Sequence, residues 1–222
     1  MRHARVAFLF VLALFTAVAG KSAGAADWRG APDAGRDDAT PLGPVVAEVS
    51  VCFVPAQECD TPVVQAIAAA RTAIRVQAYG FTSPVILRAL ADARMRGVDV
   101  QAVLDKSDDR IERDDSDART RRISGARFTA EANIPTWIDD SVAIAHNKVI
   151  IIDGHLVIGG SYNYTASAEH RNAENVTFID APAVAGFYLG NWDARKAVSR
   201  PSHYQPEAEN AVSRKVASSN TR

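Results

Sequence analysis

One stretch of the chain concentrates side chains that could do chemistry. It runs His146-Asn147-Lys148-Val149-Ile150-Ile151-Ile152-Asp153-Gly154-His155-Leu156-Val157-Ile158-Gly159-Gly160-Ser161-Tyr162-Asn163. His146 and Lys148 stand two apart at the start of a β-branched run, so on a strand they point to one face. Asp153-Gly154 is a two-residue hairpin signal. A turn there sets His146 opposite Ser161 and Lys148 opposite Gly159, with Asn163 continuing on the same face; a three-residue loop would break this register. An imidazole, an ammonium, a hydroxyl and a carboxamide would then share one surface. Lys148 and Asn163 could donate to an oxyanion, and His146 could act as nucleophile or proton-transfer group. Ser161 is a poor candidate for a hydrolase nucleophile of the Gly-x-Ser-x-Gly kind, because Asn163 stands where the second glycine is needed.

The same residues match the pattern H-x-K-x4-D-x6-G-S-x-N at His146, Lys148, Asp153, Gly160, Ser161 and Asn163. Six fixed positions at about one in twenty each would coincide by chance on the order of 10⁻⁶ in a chain of this length. The chain therefore resembles the phospholipase D superfamily, and within it the single-motif bacterial endonucleases, from about Val46 to Lys196. The resemblance implies an α/β/α sandwich with a mixed central sheet flanked by helices. It implies a metal-independent phosphodiesterase without cofactor, in which His146 forms a phosphohistidine. Lys148, Ser161 and Asn163 would bind the phosphate oxygens. Glu174, thirteen residues after Ser161, would orient His146, while Asp153 and Gly160 would be structural.

Larger members of that family carry the motif twice and use one histidine from each copy. Here none of His3, His155, His170 and His203 is followed by lysine two residues later. The resemblance therefore implies a homodimer with the site on its two-fold axis. Nucleic acid is the expected substrate and phospholipid the alternative, since the same residues serve both.

Around this cluster the chain must supply elements that hold it. Val46 to Phe53 reads as a strand. Thr61-Pro62 opens a helix with Val63, Ile67 and Ala70 on one stripe. Ile74 to Phe81 reads as a strand. Ser83-Pro84 is an N-cap followed by proline at the first helical position, with Ile86, Leu90 and Ala93 facing inward. Gly97 ends that helix and Val98 to Leu104 is the next strand. Strands alternating with helices at this spacing point to an α/β fold with a partly parallel sheet. Asp105 to Arg122 is dense in mixed charge, including Asp108 and Asp109, and reads as a solvated loop and helix face, since it lacks the glycine and spacing of a calcium loop.

Tyr162 and Tyr164 should face away from His146 into the core. His155 is expected to be exposed, and His170 is a minor candidate for the cleft. Trp137 is equally a base-stacking or a packed residue. The glycosylation sequons at Asn163 and Asn175 fall inside the presumed site and are discounted.

The first residues look like an export signal: Arg2 and Arg5, then an apolar run from Val6 to Ala19, then small residues through Ala25. That run is shorter than the roughly 20 residues of a spanning helix. The expected organisation is a signal peptide over 1–25, a flexible leader over 26–44, the phosphodiesterase domain over 45–199 and a disordered tail over 200–222, in a periplasmic or secreted protein. Taking Arg2, Arg5 and Lys21 from 25 basic residues leaves 22 against 26 acidic, a net charge of −4. Binding of a polyanion would thus depend on a local basic site rather than on bulk attraction. In an oxidising compartment Cys52 and Cys59 should form a local disulfide, with no metal site.

Overall fold

In the computed structural model, residues 45–109 and 124–204 are described. The predicted signal peptide and leader, most of the charged stretch after Asp109 and the tail beyond Tyr204 lie outside them.

Strand β1 (Glu48–Val54) leads through the cysteine loop into α1 (Asp60–Ala69). There follow β2 (Ala73–Ala78), α2 (Pro84–Met95), β3 (Asp99–Asp105), a 3-10 turn over Lys106–Asp109, α3 (Gly125–Glu131) and β4 (Thr136–Asp139). The hairpin strands β5 (Lys148–Ile152) and β6 (Leu156–Gly160) come next, then α4 (Ala166–Arg171), β7 (Glu174–Asp180), α5 (Pro182–Ala197) and β8 (Arg200–Pro201).

The eight strands form one sheet in the order β1-β7-β6-β5-β2-β3-β4-β8. The two βαβ-type crossovers make β2, β3 and β4 parallel, while the remaining neighbours are antiparallel. Both faces of β5 are covered, as its unbroken Val149-Ile150-Ile151-Ile152 run requires. Ile150 and Ile152 pack with Val63 and Ile67 of α1, Ile86, Leu87 and Leu90 of α2 and Ala126 of α3. Val149 and Ile151 pack on the other side with Ala185 and Trp192 of α5. The result is the mixed α/β/α sandwich anticipated above. The stripes expected on α1 and α2 are buried, as are Tyr162 and Tyr164.

Four local expectations need correcting. Ser83 precedes α2 but does not cap it with its side chain, since its hydroxyl turns to Asp60 instead, at 3.4 Å. The ordered domain does not stop at residue 199: Arg200 and Pro201 pair with β4. Asp108 and Asp109 are not solvated, being 8% and 3% exposed. Asp109 is paid for by distant partners, binding Arg200 Nη1 at 2.7 Å and Ser202 Oγ at 2.6 Å, and the Asp108 carboxylate accepts from the backbone of Phe81, Gly80 and Gly125.

The fourth concerns the hairpin. The turn starts as predicted, with positive φ at Asp153 (51°) and Gly154 (70°) and His155 N donating to Ile152 O at 3.1 Å. His155 is then pushed out of the ladder. Its carbonyl accepts Ala181 N at 2.9 Å and its Nδ1 meets Asp180 Oδ1 at 2.8 Å. Ile152 therefore pairs with Leu156, and Val149 rather than Lys148 stands opposite Gly159. His155 itself is half-exposed and paired to Asp180 rather than free.

Candidate active site

His146 lies in the loop just before β5, and two strands hold that loop. Asp105, at the end of β3, accepts Ala145 N at 2.8 Å. Tyr79, just past β2, donates its N–H to Asn147 O at 2.9 Å. The buried amide of Gln77 on β2 accepts Asn147 Nδ2 at 2.9 Å and donates to Asn191 of α5 at 3.2 Å. These contacts fix the backbone on both sides of the imidazole, which remains exposed.

Despite the shifted register, His146, Lys148, Gly159, Gly160 and Ser161 line one open trough of about 540 Å³, together with Thr177, Ile179 and Tyr188. Lys148 is 7% exposed. Its Nζ donates to His146 O at 2.7 Å and lies 5.3 Å from the centre of the Tyr79 ring. Burial pulls the ammonium below the usual lysine range, with the Glu174 carboxylate acting in the opposite direction. A cation held over an aromatic face and short of water is poised to gain from an arriving phosphate. The His146 ring packs at 4.8 Å on the same tyrosine, and neither of its nitrogens is hydrogen-bonded among the described residues.

Ser161 donates to Glu174 Oε2 at 2.5 Å and accepts Asn175 N at 3.1 Å. The other Glu174 oxygen accepts Asn172 Nδ2 at 2.9 Å. Among the described residues the expected hydrogen bond between Glu174 and His146 is not formed; the carboxylate accepts from Ser161 and Asn172 instead. Asn163 does not line the trough either. Its Oδ1 is buried without a hydrogen-bond partner, and a Cβ placed on Gly80 would come within 3.6 Å of its side chain.

Gly160 has φ +145°, and a Cβ there would overlap the carbonyl oxygen of Asn175. Asp153 sits at the opposite end of the hairpin. Its carboxylate accepts Arg71 N, Thr72 N, Thr72 Oγ1 and Ala73 N between 2.8 and 3.0 Å. Burial opposes ionisation, but these donors hold the group down at about 2. Asp153 thus ties the turn to the start of β2.

His170 is exposed and lines a different cavity, with Asp60 and Glu169. Trp137 packs edge-on against Trp192 with Lys196 Nζ 3.9 Å from its ring, and it does not line the trough. Cys52 and Cys59 are disulfide-bonded. Among the described residues no three His, Cys, Asp or Glu side chains gather as a metal-ligand set.

Sequence reasoning missed Tyr79 and Gln77. A glutamine inside the otherwise apolar run Val76-Gln77-Ala78-Tyr79 was the available signal, because a buried polar side chain needs partners.

Residues 63–191 match the family model described as "Cardiolipin synthase, PLD-like domain". The protein named phospholipase D of Rickettsia prowazekii is 42% identical over 158 residues, which is 71% of this chain and 72% of that one. The chain belongs to the phospholipase D superfamily. It is a phosphodiesterase hydrolase of the single-motif kind. The solved structure of Nuc, a phospholipase D family member from Salmonella typhimurium, superposes with a TM-score of 0.60 at 36% identity and covers 70% of this chain and 98% of that one. The mitochondrial cardiolipin hydrolase of Xenopus laevis is 27% identical over 177 residues, 77% of this chain and 79% of its own.

Proposed function

We propose that the protein is an exported, homodimeric endonuclease that cleaves DNA or RNA through a phosphohistidine, with little sequence preference. The observation that carries the reading is the half-equipped trough. It holds one imidazole whose nitrogens meet no hydrogen-bond partner among the described residues, beside one desolvated ammonium. His146 of one subunit attacks phosphorus, and the P–O bond to the leaving alcohol breaks. His146 of the second subunit gives that alcohol its proton, then takes one from the water that splits the P–N bond and frees the enzyme. Lys148 supplies positive charge to the non-bridging oxygens, with the Ser161 hydroxyl beside it in the trough and no metal required. In this reading the carboxylate orienting each imidazole comes across the two-fold.

A second copy also has a surface to cover. Val49, Val51 and Phe53 of β1 are 56%, 43% and 54% exposed. They pair with Ile179, Thr177 and Asn175 of β7, so this apolar face runs directly into the trough. The disulfide suits an oxidising compartment and supports export.

The second reading, hydrolysis of phosphatidyl head groups, is favoured by the names of the relatives: phospholipase D at 42% identity and cardiolipin hydrolase at 27%. Purified protein incubated with plasmid DNA, RNA or phosphatidylcholine vesicles, with and without chelator, decides. Nicking and RNA cleavage that survive chelator and vanish in His146→Ala are expected. Head-group release without nucleic-acid cleavage would overturn the nuclease reading, and loss of activity in chelator would overturn the metal-free one.

A further inference from the structure

The motif's one aromatic residue is anchored by groups that its chemistry leaves unused. Tyr162 lies between Ser161 and Asn163 and is 1% exposed. Its phenol oxygen stands 2.7 Å from Asp60 Oδ1 and 2.8 Å from Glu169 Oε2. Glu169 is 7% exposed and also accepts Asp60 N at 3.3 Å, so the two acids and the phenol form one closed cluster. Burial pushes the Asp60 carboxyl above its ordinary range; the Tyr162 hydrogen bond opposes this and the nearby Glu169 charge adds to it.

Asp60 follows Cys59 directly, at the first position of α1. Cys59 is bonded to Cys52 on β1, and two positions on, Val54 pairs with Glu174 of β7. The same strand carries Phe53 opposite Asn175, whose N–H and side chain both reach Ser161. The disulfide therefore joins two routes to the same strand end. One runs through Asp60 and Tyr162 from beneath, the other through β1 and β7 to Glu174 and Ser161 from the side.

We propose that Asp60 and Glu169 are positioning residues, which set the Ser161–Asn163 segment through the Tyr162 phenol, and that the Cys52–Cys59 disulfide locks this clamp to the strand bearing Glu174. The clamp acts on the phosphodiesterase site proposed above and rests on that reading for its kinetic consequence. Neither acid touches substrate. Their cavity of about 840 Å³ lies apart from the trough, and the two share no lining residue.

The test uses full-length Tyr162→Phe, Asp60→Asn, Asp60→Ala and the double variant Cys52→Ala/Cys59→Ala. Cleavage of bis(p-nitrophenyl) phosphate is measured well below each melting temperature, beside amide hydrogen exchange. Tyr162→Phe, Asp60→Ala and the cysteine pair should lose about 10-fold or more in kcat with KM within about threefold, because a displaced donor weakens the transition state more than the encounter. Asp60→Asn, which still accepts from the phenol, should recover most of kcat. Exchange should quicken over 161–164 and remain unchanged over 149–152.

Loss of activity that merely follows the unfolded fraction, with kcat of the folded enzyme and exchange over 161–164 both unchanged, overturns the clamp. If Tyr162→Phe fails to fold, the comparison of Asp60→Asn with Asp60→Ala decides alone. A wild-type protein that cleaves no diester, but whose variants show the exchange pattern, refutes the functional reading and leaves the clamp standing.

Discussion

Asp153→Asn isolates the contribution of the hairpin anchor. Asparagine keeps the shape and tolerates the φ of +51° that Asp153 adopts, so the backbone adds no penalty of its own. What changes is charge. Four donors hold the carboxylate at about 2 against an ordinary 3.8. In a fully buried group that gap would be worth about 2 kcal/mol, but Asp153 is only half-buried, so screening reduces it to about 1 kcal/mol. The carboxamide also sets an N–H against one of the donors, most directly Arg71 N, adding about 1 kcal/mol. The variant should therefore be about 2 kcal/mol less stable at pH 7, by urea unfolding followed through tryptophan fluorescence.

The sign with pH follows from the depressed folded value. The stabilisation is complete above 3.8 and is lost as pH falls through about 2. The gap between the two proteins should shrink by about 1 kcal/mol between pH 7 and pH 2. A gap near zero at pH 7, or one that does not narrow in acid, would refute the anchoring argument. Turnover per folded molecule should stay within about twofold, since the group lies at the far end of the hairpin from Ser161.

Gly160→Ala should destabilise by about 3 kcal/mol, from a positive φ unsuited to alanine and an overlap with the Asn175 carbonyl, read as a fall in melting temperature. Asp108, pushed up to about 6 by burial against several backbone donors, works the other way from Asp153. The unfolded chain releases that proton first, so stability is lost as pH rises from about 4 to 6. Asp108→Asn should therefore gain on the wild type by up to about 3 kcal/mol between pH 4 and pH 7, in paired urea titrations at the two pH values. Val51→Glu, on the exposed apolar face of β1, should give a monomer by sedimentation and abolish cleavage. A fully active dimer would remove that face from the interface.

What could be read from sequence, and what could not, divides by the range of the interactions involved. The reagents lie within eighteen consecutive residues, so their types and spacing were visible directly. The stripes Val63-Ile67-Ala70 and Ile86-Leu90-Ala93 were equally visible, because helical periodicity is local. The hairpin register was not. It depends on Ala181 N taking the His155 carbonyl, a bond made 26 residues away, and a two-residue signal cannot encode it. The burial of Asp109 was hidden for the same reason, its guanidinium partner standing 91 residues further on.

The distinction bears on the site itself. Tyr79 under His146, Gln77 behind Asn147 and Asp60 beneath Tyr162 all act over 67 to 102 residues. A motif names the groups that react, whereas their angles are set by contacts formed only when the sheet closes. Glu174, which accepts from Ser161 and Asn172 rather than from His146 among the described residues, carries the point one step further. Among the described residues the closed sheet gives the imidazole no orienting hydrogen bond, so within the proposed mechanism the last contact that makes it a catalyst is one between subunits.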